Sequence, residues 1–276
     1  MAAQEPTDII ILTVDLSPYL HSPASVAADA IVGEIRKACA TSGFFQLVWH
    51  SVSKSLPQQA FVAAKALFNL LDKEKCKLSG TPGRGYEVLG TQFLEPGKKA
   101  GLEEGYFLGR EAPDGNPPFP PFLEPNVWPS PELIPHWHFK IPLLEYHRAL
   151  SDSSSIVLRV TASEMENMDT GVFADFRQNP IESVLNQDKN EWIEVTPRDD
   201  AYVANIGDML SVWTGGAYKS NIHRVINNSG SERYSIPFFS DGNADCVIRC
   251  LDESAENKAG RTYCGRTYTV PICPKL

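Results

Sequence analysis

Nine prolines fall between residues 113 and 135: Pro113, Pro117, Pro118, Pro120, Pro121, Pro125, Pro129, Pro131 and Pro135. Each removes a backbone donor, fixes φ and biases the residue before it away from the helical region, so no helix or central strand runs through this stretch. The chain must therefore be organised by what lies on either side. A flexible linker is poor in aromatics, yet residues 79–135 hold Phe93, Tyr106, Phe107, Phe119, Phe122 and Trp128. The stretch reads as an ordered, packed wrap.

Before the prolines, the β-branched run over 9–16 predicts a strand stopped by Ser17-Pro18. Val26, Ala30, Ile31, Ile35 and Ala38 recur at helical spacing, which predicts an amphipathic helix over 23–42 ended by Gly43. Residues 44–49 follow as a strand. A second helix over 57–72 carries Phe61, Ala64, Leu67, Phe68 and Leu71 on one face. After the prolines a third helix is predicted over 141–163. From Trp192 the pattern changes to strands, over 192–195, 201–206, 222–226 and 233–239. A chain rich in helix first and in strand last is an α+β order.

Charge excludes some partners. With 25 Lys and Arg against 34 Asp and Glu, the net charge is −9, and phosphate-rich surfaces need basic clusters, so no nucleic acid and no anionic membrane are expected as partners. No run of 18 apolar residues is present to span a bilayer. The first six residues lack a basic and apolar secretory pattern, so a cytoplasmic location is expected. The six cysteines then read as reduced thiols, with a zinc site the sharper alternative that lacks a completing ligand set. Asn227-Asn228-Ser229 reads as turn chemistry.

The most informative residues lie late in the chain. Residues 227–232 are turn-forming, so the flanking strands are expected to form a hairpin. Arg233 and Ser235 are two apart and share a face; with an odd loop His223 and Val225 share it too. Imidazole suits non-haem iron and a guanidinium grips a carboxylate through paired hydrogen bonds. The competing reading is a surface hairpin with His223 and Arg233 in water.

Asn205-Ile206-Gly207-Asp208-Met209-Leu210, Lys219-Ser220-Asn221-Ile222-His223-Arg224-Val225 and Arg233-Tyr234-Ser235 followed by Pro237-Phe238-Phe239 resemble the C-terminal half of the iron(II)- and 2-oxoglutarate-dependent oxygenases, in the branch that includes isopenicillin N synthase-like enzymes. Gly43-Phe44-Phe45-Gln46, Arg84-Gly85-Tyr86-Glu87 and the run from Glu104 to Glu111 resemble that family's N-terminal region. The resemblance implies a double-stranded β-helix, or jelly-roll, core with an N-terminal helical cap. It implies residues 1–135 as the N-terminal oxygenase-type region, 136–252 as the oxygenase core and 253–276 as a divergent tail. It implies iron(II) as cofactor and 2-oxoglutarate as co-substrate, with His223 as the distal iron-binding histidine. Arg233 and Ser235 would hold the distal carboxylate of the keto acid. The activity implied is that of a dioxygenase: oxidative decarboxylation to succinate coupled to hydroxylation, desaturation or cyclisation of a small organic molecule, in secondary metabolism. Asp208 is placed at a structural turn before a strand rather than on the metal.

The same resemblance exposes a departure. The family's other two iron ligands come as His-x-Asp or His-x-Glu. None of the six histidines (21, 50, 136, 138, 147, 223) has an acid two residues on. The stretches 172–183 and 185–193 look like the segments before and after the missing motif, and only Val184 stands between them. About 30–40 residues, two or more strands and their loop, are expected there, so the jelly roll is expected to be truncated near Val184 and to show a gap. His136 and His138, two apart, could chelate a metal if extended. Glu164, Glu166 and Asp169 read as a solvated helix end. Trp192, Tyr202, Trp213 and Phe238 read as core. Two functions follow: a 2-oxoglutarate-dependent dioxygenase, or an inactive relative acting only as a binding protein.

Overall fold

The computed structural model describes residues 9–48, 50–81, 83–88, 104–111, 119, 124–162, 175–178, 183–186, 190–224, 232–240, 247–248 and 263–264. The chain opens with β1 (Leu12–Asp15), α1 (Ser17–His21), α2 (Val26–Thr41), β2 (Phe44–Val48), α3 (Ser55–Phe68) and α4 (Asp72–Lys75). The short strands β3 (Gly85–Glu87) and β4 (Gly105–Phe107) precede the long helix α5 (Lys140–Ala162). Then come β5 (Asp175–Gln178), β6 (Ser183–Asn186), β7 (Glu191–Glu194), β8 (Tyr202–Asn205) and α6 (Asp208–Trp213). Last are β9 (His223–Arg224), β10 (Ile236–Phe239), β11 (Val247–Ile248) and β12 (Tyr263–Cys264). Two compact units divide these, one of residues 1–52 and 149–265, the other of 53–148 and 266–276.

The first unit holds two larger sheets and the small β11–β12 pair. One runs β1-β2-β8-β5-β10, with β1 and β2 parallel and the remaining pairs antiparallel. The other runs β7-β6-β9, all antiparallel. Every residue of β2 is buried, as the near-continuous apolar run Phe44-Phe45-Gln46-Leu47-Val48 demands of a strand covered on both faces. Phe45 and Leu47 enter a core with Ile31 and Ile35 of α2, Val157 of α5, and Ala204 of β8. Phe44 turns the other way and packs with Val184 of β6, Val195 and Val203. This second cluster joins residues of both sheets, as in a jelly roll.

α2 starts at Ser25, whose hydroxyl accepts from the Ala28 amide at 3.2 Å, with Asp29 in the first turn. Both features favour a helix N-terminus. The expected gap in the sheet does not appear between β8 and β10, because β5 pairs with both of them. Val184, expected to mark a break, sits inside β6 at the centre of the three-stranded sheet. Short segments are recruited because unpaired buried strand edges are costly.

In the second unit α3 buries Ala60, Ala63 and Leu67, and Tyr86 of β3 pairs with Tyr106 of β4. The proline-rich stretch is packed where it is described. The Asn126 amide bridges the backbone N–H and C=O of Gly109, both at 2.8 Å. The Tyr106 hydroxyl donates to the Val127 carbonyl, and Trp128 donates to Glu111 at 3.0 Å. Phe139 meets the rings of Tyr106 and Trp128 edge-on. Phe93, Phe122, Glu164, Glu166, Asp169, Val225, the Asn227–Ser229 turn and most of the tail lie outside the described residues.

Candidate functional site

The segment that carries His223 is anchored through Gly43. This residue has φ +68, a conformation open to glycine at little cost. Its amide donates to Ala38 and its carbonyl accepts from Ile206, both at 2.8 Å. The Lys219 amide donates to the Cys39 carbonyl at 2.8 Å, and the Asn221 side chain donates to the Ser42 carbonyl at 2.8 Å. The last carbonyls of α2 are thereby satisfied, and residues 219–221 are held beside the start of β2.

His223 follows on β9, opposite Val184 of β6. Its ring meets Phe44 edge-on, with centroids 5.3 Å apart and planes at 64°. With its proton on Nδ1 it donates to the Asn221 carbonyl at 3.2 Å. That tautomer leaves Nε2 as the acceptor nitrogen, the state a metal-ligating imidazole requires.

Arg233 and Ser235 are not on a hairpin with His223. β9 pairs in the three-stranded sheet and β10 in the five-stranded one, so the shared-hairpin expectation is corrected. The two strands find deeper partners in different sheets than they would in each other. Register shows what replaces it. Phe238, Phe176, Ala204 and Phe45 form one cross-strand row, and Phe45 and Ala204 face the helices. Phe239, Asp175, Asn205 and Phe44 form the next row, whose Phe44 faces between the sheets. Arg233 and Ser235 precede β10 of the five-stranded sheet, whereas His223 is on β9 of the three-stranded one. Arg233 is half-buried and Ser235 exposed.

The chain can now be compared with known proteins. A family model described as "non-haem dioxygenase in morphine synthesis N-terminal" matches residues 11–131. The model of the "2OG-Fe(II) oxygenase superfamily" matches residues 158–242. A 2-oxoglutarate-dependent dioxygenase of Monascus ruber (citB) is 35% identical, with 88% of each chain covered. The chain belongs to the 2OG-Fe(II) oxygenase superfamily. Clavatol oxidase of Penicillium crustosum (claD) is 31% identical over 89% of each chain. The fold of this oxygenase is shared by Neurospora crassa T7H, solved in complex with alpha-KG, at TM-score 0.74 and 19% identity over 94% of each chain. The match to the Monascus ruber protein spans 291 aligned positions, more than the 276 residues of this oxygenase. Since 88% of 276 residues fills about 243 of the 291, roughly 50 positions have no counterpart here, the length of several strands with their loops.

Iron(II) and 2-oxoglutarate are the cofactor and co-substrate of this family. The described donors do not fit the iron. Among the described residues no group of three or more His, Cys, Asp or Glu side chains is placed to hold a metal ion. His136 and His138 are not extended but form a 3-10 turn. At three residues per turn, positions two apart point in different directions. His138 lines a groove of about 310 Å³ with Trp137 and with Ser55, Gln58, Gln59 and Val62 of α3, and His136 does not. Asp208 opens α6 rather than standing at a turn before a strand, where its charge suits the helix N-terminus.

Among the aromatics expected in the core, Tyr202 and Trp213 are buried and Phe238 is partly buried. Trp192 is 38% exposed, with the Arg224 guanidinium 3.9 Å above its ring. An outward position on β7 explains this, since a cation–π contact needs one face open.

Sequence reading missed two groups in this unit. Asn205 is almost fully buried and its Oδ1 has no hydrogen-bond partner; its place in the Asn-x-Gly-Asp run was the available signal. His50 stacks on Tyr202 at 3.9 Å, and its Nδ1 is buried without a hydrogen-bond partner. Burial pushes the His50 pKa down to about 4, against the backbone contact and Asp200 that favour the cation. Nothing local in the sequence marks it. In the helical unit Lys75 is buried, 2.7 Å from Glu104 and 3.1 Å from Asp72, and Glu104 also accepts from the Tyr86 hydroxyl at 2.5 Å. Burial opposes the Lys75 charge, but those carboxylates outweigh it and raise its pKa.

Proposed function

We propose that this oxygenase derives from a dioxygenase that oxidises a small organic molecule in secondary metabolism, and that in its present form it does not turn over. In this reading residues 136–252 are the core, with His223 the surviving distal iron ligand and Arg233 and Ser235 the surviving grip on the keto acid's distal carboxylate. The segment bearing the other two ligands is lacking beside Val184. The observation that carries the reading is the absence of any His-x-Asp or His-x-Glu from the sequence. The excess of aligned positions over residues in the Monascus ruber match supports it. A lone imidazole does not hold a labile divalent ion against water.

Sequencing transcripts across the codons for Ser183 to Asn186 tests the origin of the gap: a longer product encoding His-x-Asp is expected. Succinate release from 2-oxoglutarate tests the function. The chain as it stands should release none above background with iron(II), ascorbate and oxygen, whereas the longer product should. In the longer product Arg233→Ala should abolish that release. Succinate formed at enzymatic rates by the present chain would refute the proposal.

A further inference from the structure

We infer that the groove between α3 and the Trp137 turn is the seat of the chain's own C-terminal segment, Val270-Pro271-Ile272-Cys273-Pro274, docked as a polyproline II strand. The seat lies wholly in the second unit and does not depend on the state of the iron site.

The groove suits an extended guest without charge. Ser55, Gln58, Gln59 and Val62 stand at i, i+3, i+4 and i+7 of α3, which is one face of the helix. Trp137, His138 and Pro142 form the other wall. Trp137 is 67% exposed and Val62 60%, an open apolar surface rimmed by polar groups, of the kind that marks an interaction site. No Asp, Glu, Lys or Arg lines the groove, so it has no guanidinium or ammonium to grip a phosphate or a carboxylate. The indole, the two amides and the hydroxyl carry hydrogen-bond donors, and the carbonyls of a polyproline II strand have no internal partners to compete for them.

The described residues end at Cys264 of β12, and twelve residues follow. Pro271 and Pro274 rule out a helix or a central strand across them. Their spacing of three is one turn of polyproline II, which puts both rings on one edge. That is the Pro-x-x-Pro arrangement that aromatic-lined grooves bind. At about 3.1 Å per residue the segment extends about 37 Å, and residues 266–276 group with the unit that carries the groove. The segment holds Arg266 and Lys275 and no acid, so the net charge of −9 becomes −11 without it; opposite net charge favours its return to the chain. A second copy is the poorer occupant, because seven lining residues fall well short of the roughly 20–30 a side of a stable interface. A tethered segment meets the groove at an effective concentration on the order of millimolar, so a contact too small to hold a separate partner is filled in cis.

Disulfide trapping in the full chain tests this. Gln58→Cys puts a thiol in the groove, and the exposed Cys76 of the same unit is the internal control. At low micromolar protein under mild oxidation, peptide mass spectrometry reads the ratio of the link from position 58 to Cys273 over that from Cys76 to Cys273. The ratio is expected to fall by at least about fivefold when Trp137→Ala is added, and equally when Pro271→Gly and Pro274→Gly are added, because docking and not tethering alone brings the thiols together. An unchanged ratio in the proline variant overturns the inference. So does a link from position 58 that forms mainly between two chains, which would make a second copy the occupant. If Trp137→Ala does not fold, the proline variant decides alone, since it alters none of the described residues.

Discussion

Gly43→Ala should be among the most damaging single-methyl changes in the chain. A Cβ at this position lies 1.9 Å from the Lys219 carbonyl oxygen, whereas carbon and oxygen settle at about 3.3 Å. The Lys219 backbone must move by more than about 1 Å, or Gly43 must leave its φ of +68. The left-handed conformation costs alanine about 1–2 kcal/mol. Displacing Lys219 disturbs its 2.8 Å bond to Cys39 and the 2.8 Å bond from Asn221 to Ser42, each contributing about 1 kcal/mol. The sum is about 3 kcal/mol, which lowers the melting temperature of a domain of this size by roughly 10 °C. Gly33→Ala is the control. Gly33 lies inside α2 and a Cβ there meets nothing within 4 Å, so the change should stabilise by about 0.5–1 kcal/mol. Urea unfolding followed by circular dichroism gives both values. A Gly43→Ala loss below about 1 kcal/mol, or the same sign for both variants, would show that the α2–β2 corner yields easily and that Lys219 is not an anchor.

Phe44→Ala should cost about 3–5 kcal/mol in urea unfolding, the range for a fully buried aromatic whose space does not collapse; a cost under about 1 kcal/mol would mean the inter-sheet core is loose. The low pKa of His50, about 4 against an ordinary 6.5, means the unfolded chain takes up that proton first. Stability should therefore fall as pH drops from about 6.5 to about 4 and level off below. His50→Phe should reduce this slope while keeping a ring on Tyr202, and an unchanged slope between pH 7 and 4 would count against the assignment. Lys75→Met should cost about 2 kcal/mol, less than for a fully buried pair because Glu104 is 27% exposed. Adding Glu104→Gln should be less than additive; simple additivity would deny the coupling.

Periodicity placed the three longest helices within a few residues and missed the short α1, α4 and α6. The helix expected over 141–163 is Lys140–Ala162, and that expected over 57–72 is Ser55–Phe68, ending early because Asn69 begins a turn. Local pattern failed where pairing decided the outcome. Residues 222–239 carry hairpin signals, yet β9 and β10 belong to different sheets. Their partners, β6 and β5, lie some forty to sixty residues earlier, beyond what turn chemistry reports. His136 and His138, which would share a face only if extended, lie instead in a 3-10 turn of the proline-rich stretch.

What the sequence determined by itself is chemical inventory: the oxygenase motifs, the lack of any His-x-Asp, the acidic charge, and glycine where α2 turns into β2. Those depend on residue identity and spacing along the chain. Tertiary structure decided which faces those residues share. It put β9, with His223, in one sheet and β10, which Arg233 precedes, in the other, and placed β5 between β8 and β10. It also set the Phe44 ring against His223 and Val184 opposite it. Side-chain direction in a sheet follows register, and register is chosen by competition among all strands for partners and burial, which no local run of sequence contains.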